Sequence, residues 1–110
     1  MATPFEHIAQ LSRLLHEPSR LAIVTALSAC DRADFLFLLN ITGLTKGNLS
    51  SHLSKLEQGG IVAIEKTFEG KHPVTYARLT AEGRDAVKAY WKRFDKVRAG
   101  VKALKPLRTT

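Results

Sequence analysis

The sequence predicts a mainly α protein carrying one small β-hairpin, an α+β fold in a single domain of 110 residues. Three observations carry this. Apolar residues recur at three- and four-residue steps in five separate stretches, which is the helical period. Two β-branched runs, residues 61–68 and 74–79, are split by Glu69-Gly70-Lys71-His72-Pro73, a turn composition. Hydrophobic residues make up 45% of the chain, enough for one core and no more at this length.

The elements follow in order. Phe5, Ile8, Leu11 (or Ser12) and Leu15 keep helical spacing behind Thr3 as a cap and Pro4 in the first turn, so a helix over 3–15 is expected. A second helix opens at His16-Glu17-Pro18, where the missing proline N–H costs nothing. It should bury Leu21, Val24, Ala26 and Leu27 and stop near residues 29–31. Residues 33–40, dense in Phe and Leu, read as a short and mostly buried helix that Asn40, Thr42 and Gly43 break. Thr45 is a good N-cap for a helix over 46–58, and Gly59-Gly60 closes it because glycine takes a left-handed C-cap at little cost. After the hairpin, Thr80 with Glu82 opens a last helix over 80–105, which Pro106 ends. Two short helices joined by a Gly-containing turn are the helix-turn-helix signal, and the hairpin stands where a wing would. The expected organisation is a core over 15–80 flanked by helices at 3–15 and 80–105.

The helix over 46–58 has two unlike faces. At about 100° per residue, Leu49, Leu53 and Leu56 fall within about 60° of one another and face the core. The outward side carries Gly47, Asn48, Ser51, Ser54 and Lys55, with Lys46 and Ser50 nearby and Glu57 off this face. An ordinary surface helix carries Glu/Lys pairs on its wet side, and these are missing. A helix entering the DNA major groove needs small residues for close approach, Asn or Ser for base edges and Lys for phosphate. Thr45 and Lys46 stand at the helix N-terminus, where free N–H groups favour an anion such as phosphate. His52 lies at the edge of the contact face, placed either to touch a phosphate or to pack. Lys71 and His72 sit at the hairpin tip with Lys66 and Arg78 on its strands, a cationic wing over about 66–78 able to meet phosphates or a minor groove. Glu69 counts against it.

Charge and seam point the same way. The net charge is +7, and residues 84–110 hold nine Lys/Arg against Asp85 and Asp95, so the whole excess lies there. Nucleic acid is the first partner such a segment suggests. Val87, Tyr90, Phe94, Val97, Val101 and Leu104 step by three and four, an apolar seam that Gly100 weakens. A domain this small has little to cover it, so the seam is expected to pack on a second chain, together with the Phe5, Ile8 and Leu15 helix. A parallel zipper is disfavoured, since Arg93 and Arg98 would face each other.

Residues 18–79 resemble the winged helix-turn-helix domain of MarR/ArsR-like transcriptional regulators, above all the small single-domain members. The likeness rests on His16-Glu17-Pro18-Ser19-Arg20-Leu21, on residues 49–57, on Gly60-Ile61-Val62 and on Thr75 to Gly83. It implies a cytoplasmic homodimeric repressor or activator with the 45–58 helix as recognition helix, acting on double-stranded DNA. Metal-sensing relatives carry paired thiolates near the helix-turn-helix; here Cys30 stands alone and His7, His16, His52 and His72 are scattered, so no metal and no cofactor are expected. Cys30 reads as a small buried thiol. The start MATPFEH lacks a signal-peptide pattern, and no apolar run approaches a membrane span. No paired carboxylates, activated nucleophile or phosphate-cradling loop suggests an enzyme. Two other readings compete with a sequence-specific regulator: a non-specific or architectural nucleic-acid binder, and a winged-helix protein-interaction module. Whether a small-molecule effector binds is open.

Overall fold

The computed structural model describes residues 3–9 and 11–104. The element order is α1 (Pro4–Ala9), α2 (Pro18–Ser28), β1 (Ala33–Asp34), α3 (Phe35–Thr42), α4 (Lys46–Gln58), β2 (Val62–Glu69), β3 (His72–Leu79) and α5 (Ala81–Ala103). The expected stop at Pro106, with Lys105 and Arg108, lies outside the described residues.

The first helix is shorter than its periodicity predicts. Thr3 and Glu6 form a reciprocal cap: Thr3 Oγ1 accepts from the Glu6 N–H at 3.2 Å and Glu6 Oε2 from the Thr3 N–H at 3.0 Å. The helix nevertheless ends at Ala9 instead of running to Leu15. A turn at Ser12, whose Oγ accepts from the Leu15 N–H at 3.3 Å, drops Leu11 and Leu15 into the domain core. A straight helix would have kept Leu15 on the same outer stripe as Phe5.

Glu17 caps α2, its carboxylate accepting from the Arg20 N–H at 2.7 Å, and Pro18 occupies the first turn as expected. The buried residues of α2 are Ile23, Val24 and Leu27, whereas Leu21 and Ala26 are only half-buried. Asp34 ends β1 and caps α3, accepting from the Phe37 N–H at 2.7 Å. The expectation of a mostly buried third helix is corrected. Two turns that are apolar all round can bury only one side, here Phe35, Leu38 and Leu39, and Leu36, Phe37 and Ile41 face outward. Gly43 closes α3 at φ 71°, a left-handed cap that favours glycine.

The sheet has three strands in the order β1-β3-β2, all antiparallel. Glu69 pairs with His72 and Gly70 has φ 63°, so Gly70-Lys71 is a two-residue turn with glycine in its positive-φ position. The core gathers Leu15, Ile23, Leu27, Leu38, Leu49, Leu56 and the inward side of the hairpin, with Val87 and Tyr90 from α5.

One junction ties α4, β2 and α5 together. Gly60 takes φ 76° after α4. Thr80 Oγ1 donates to the Gly60 carbonyl at 2.6 Å, and the Thr80 N–H donates to the Ile61 carbonyl at 3.0 Å. Thr80 also caps α5, accepting from the Gly83 N–H at 2.8 Å. A Cβ on Gly83 would lie 2.0 Å from the Ile61 carbonyl oxygen, so only glycine lets α5 start this close to the sheet.

Candidate nucleic-acid interface

Thr45 caps α4 as its chemistry predicts, accepting from the Asn48 N–H at 3.2 Å. Leu49, Leu53 and Leu56 are buried, which fixes the rotation of the helix about its axis. Lys46, Gly47, Asn48, Ser50, Ser51, Ser54 and Lys55 are all exposed. A Cβ at Gly47 would meet nothing within 4 Å, so this glycine answers no packing need inside the chain. Gln58, the last residue of the helix, is exposed on the same outward side, one turn beyond Ser54 and Lys55, a position that the leucine pattern does not single out. Ser50, Ser54 and Glu57 border a groove whose other wall is Lys66 and Thr75 of the hairpin. The Glu57 carboxylate therefore lies toward the wing, at the edge of the cationic and hydroxyl face.

His52 turns the other way. Its Nδ1 lies 3.3 Å from Arg20 Nη1 and 3.7 Å from Glu17 Oε2. Arg20 also donates to the Leu14 carbonyl at 2.6 Å and the Arg13 carbonyl at 3.4 Å. His52 thus belongs to a polar cluster that holds α4 against α2, the packing role the sequence left open. Burial raises the Glu17 carboxyl, but the N–H groups of Arg20 and Ser19 and the charges of His52 and Arg20 outweigh it and hold the group below its ordinary range.

Strand alternation sorts the hairpin by face. Ile64, Lys66 and Thr75 lie toward α4, and by register Phe68 and Pro73 share that side. Glu65, Glu69, His72, Tyr76 and Arg78 occupy the other. There Arg32 stands 3.7 Å over the Tyr76 ring and 3.4 Å from Glu65, and the Tyr76 hydroxyl donates to Glu69. That bond pushes the Tyr76 hydroxyl pKa up. Lys71 and His72 are exposed at the tip. Arg78 lies on β3, as the sequence predicts, and pairs with Ala63, six residues and roughly 20 Å along the strand from Glu69 at the tip, on the face turned away from α4.

The predicted seam divides. Leu15, Val87, Tyr90 and Val97 are buried within the chain and Phe94 is half-buried; α1 packs along α5, and Val87 lies by Ser28 of α2 and Leu79 of β3. The Tyr90 hydroxyl meets His16 Nδ1 at 2.9 Å, and burial raises its pKa. At Gly100 α1 comes close, and a Cβ there would lie 2.7 Å from the Pro4 ring. Phe5, Ile8, Val101 and Leu104 remain exposed, Phe5 by 68% and Val101 by 51%. Along α5, Arg84 donates to the Cys30 carbonyl at 3.1 Å and Arg93 meets His7 at 3.3 Å, whereas Lys88, Lys92, Lys96, Arg98 and Lys102 are exposed. Among the described residues no helix is long and apolar enough to cross a membrane, and no group of three or more His, Cys, Asp or Glu is placed to hold a metal ion.

This arrangement has known counterparts. A protein of Methanocaldococcus jannaschii is 32% identical over 78 residues, 71% of this chain and 85% of the relative. The solved structure of a transcriptional regulator homologue from Pyrococcus horikoshii OT3 superposes with a TM-score of 0.81 at 30% identity, over 89% of this chain and 96% of that one. A MarR-family putative transcriptional regulator from Enterococcus faecalis V583 shares the fold, with a TM-score of 0.71 at 21% identity over 94% of each chain. The family model for the winged helix DNA-binding domain matches residues 19–97. That span holds the helix-turn-helix, the hairpin and most of α5, and the chain belongs to the winged helix DNA-binding domain family.

Proposed function

We propose that this chain is a homodimeric, sequence-specific DNA-binding transcriptional regulator of the cytoplasm. The observation that carries the reading is the outward face of α4, small, hydroxyl-bearing and cationic, held outward by three buried leucines. In this reading Asn48 and Ser51 meet base edges in the major groove while Gly47 permits close approach. Lys46, Lys55 and Ser50 contact the flanking phosphates, and the helix N-terminus at Thr45 receives one. Lys71 and His72 bring the wing to the neighbouring backbone or minor groove. His52 acts from behind, through Arg20 and Glu17.

Two copies joined through Phe5, Ile8, Val101 and Leu104 would present two α4 helices to successive major grooves about 34 Å apart. The expected site is then a pseudo-palindrome. The homology to a transcriptional regulator homologue at 30% identity supports the regulatory part.

Selection of bound duplexes from a random DNA pool tests it. A two-fold symmetric motif is expected. Asn48→Ala and Ser51→Ala should each flatten particular positions of the motif, by about 1–3 kcal/mol of base discrimination. Recovery of no motif, with affinity that both substitutions leave unchanged, would favour the architectural reading. DNA affinity without steep salt dependence would remove phosphate contact, and the proposal with it.

A further inference from the structure

We propose that Phe68 is an apolar wedge that the wing inserts into the minor groove beside the site read by α4, and that Tyr76 keeps the wing tip fit for this by holding the Glu69 carboxylate on the far face. The inference rests on the DNA-binding reading above and deepens it.

Phe68 is 70% exposed, one residue before the pair that closes the hairpin. A large aromatic ring there contributes little to folding, because the core does not reach it. Its backbone is nonetheless fixed in the strand ladder. Its cross-strand neighbour is Pro73, and in this register the two form a non-hydrogen-bonded pair, where side chains approach most closely. Such a site also suits proline, which has no N–H to give to the ladder. A wedge must be rigid to unstack bases, and this residue sits at the tightly turned end of the hairpin, opposite a proline whose backbone φ is fixed.

Its surroundings match a groove walled by phosphates. Phe68 shares its sheet face with Lys66, and Lys71 lies in the turn beyond it. A cation thus stands on either side of an apolar projection. The carboxylates nearest the tip are withdrawn, while Glu57 borders the groove beside Lys66. Glu69 accepts from the Tyr76 hydroxyl on the opposite face, where Arg32 stacks on Tyr76 and pairs with Glu65. Phe68 lies six residues, roughly 20 Å, along β2 from Val62 in the core, enough to pass from the groove that holds α4 to its neighbour. Apolar side chains inserted between base steps in the minor groove unstack them and bend the duplex, and the bend brings more DNA onto the protein.

The test uses the full chain and a duplex recovered by the selection described above, with 2-aminopurine placed in turn at each flanking base step. Wild-type protein should raise the emission at one step on each flank. Phe68→Ala should abolish that rise and weaken binding roughly tenfold, while the salt dependence stays the same because no phosphate contact is lost. Phe68→Leu should keep part of both effects. Tyr76→Phe should weaken binding a few-fold, most at low salt, and Glu69→Gln in that background should restore it. Unchanged melting temperatures will show that these exposed substitutions leave the fold intact. Equal affinity and equal flank emission for wild type and Phe68→Ala would overturn the wedge and leave the regulator reading standing. A Phe68→Ala variant altered in self-association by sedimentation, with its flank emission intact, would also overturn it by making Phe68 a protein contact. Failure of the wild-type chain to select any duplex would overturn both.

Discussion

Gly47 and Gly83 are both helical glycines, and the space around them separates their roles. Gly83 is required by packing, since any Cβ would collide with the Ile61 carbonyl. Gly47 has open space around it. Gly47→Ala should therefore raise folding stability by up to about 1 kcal/mol, the usual helical gain over glycine. It should also lower DNA affinity by placing a methyl group on the reading face. Urea unfolding beside fluorescence anisotropy on a selected duplex checks both; a stabilised variant with undiminished affinity would show that bases do not approach here. Glu17 gives a pH-dependent counterpart. Burial alone would raise its carboxyl, but the bonds from Arg20 and Ser19 and the nearby positive charge hold it below its ordinary 4.5. A group lowered in this way contributes stability that is present above 4.5 and lost as pH falls through its folded value. Glu17→Ala should cost about 1 kcal/mol at neutral pH as a lost helix cap. The gap to wild type should narrow as denaturant titrations are repeated below pH 4.5.

At the level of elements, legibility followed the strength of local signals. The α4 helix was readable end to end because a hydroxyl cap, a leucine stripe and a glycine stop all delimit or fill the same thirteen residues. The hairpin was readable from its β-branched runs and its turn. The first helix misled because Leu11 and Leu15 keep the helical period through a turn that a single serine makes. The two residues of β1 were invisible, since a pairing with Ala77 and Tyr76 depends on a strand more than forty positions away. The exposed side of α3 was hidden for a related reason: an all-apolar segment does not say which of its faces the domain covers. In the site, the residue types on α4 were legible, but the inward turn of His52 and the distance of Arg78 from the tip are tertiary facts. The hairpin geometry makes the last point testable. Lys71→Ala should weaken DNA binding and reduce the slope of log affinity against log salt by about one. Arg78→Ala should change that slope far less, and salt titrations of both variants will show whether the tip or the base of the wing meets phosphate.

For the molecule as a whole, the long α5 helix is the element that the other described residues cover only in part. Its first half is used internally through Val87 and Tyr90, and its last turns leave Val101 and Leu104 exposed, as are Phe5 and Ile8 of α1. Val101→Asp should convert the proposed dimer into monomers by sedimentation at unchanged secondary structure. DNA affinity should fall by orders of magnitude with it, because two tethered half-site contacts become independent. A variant that remains dimeric would place the interface elsewhere. The junction at Gly60, Thr80 and Gly83 then acquires a mechanical meaning. It clamps the root of a rod roughly 34 Å long to the end of α4, with no slack in between. A swing of ten degrees or so at the root carries the far tip through roughly 6 Å. In the proposed pair, the angle at which the two rods cross would therefore set the spacing of the two reading heads, and a small twist where the subunits meet would move both heads off the pitch of the duplex together.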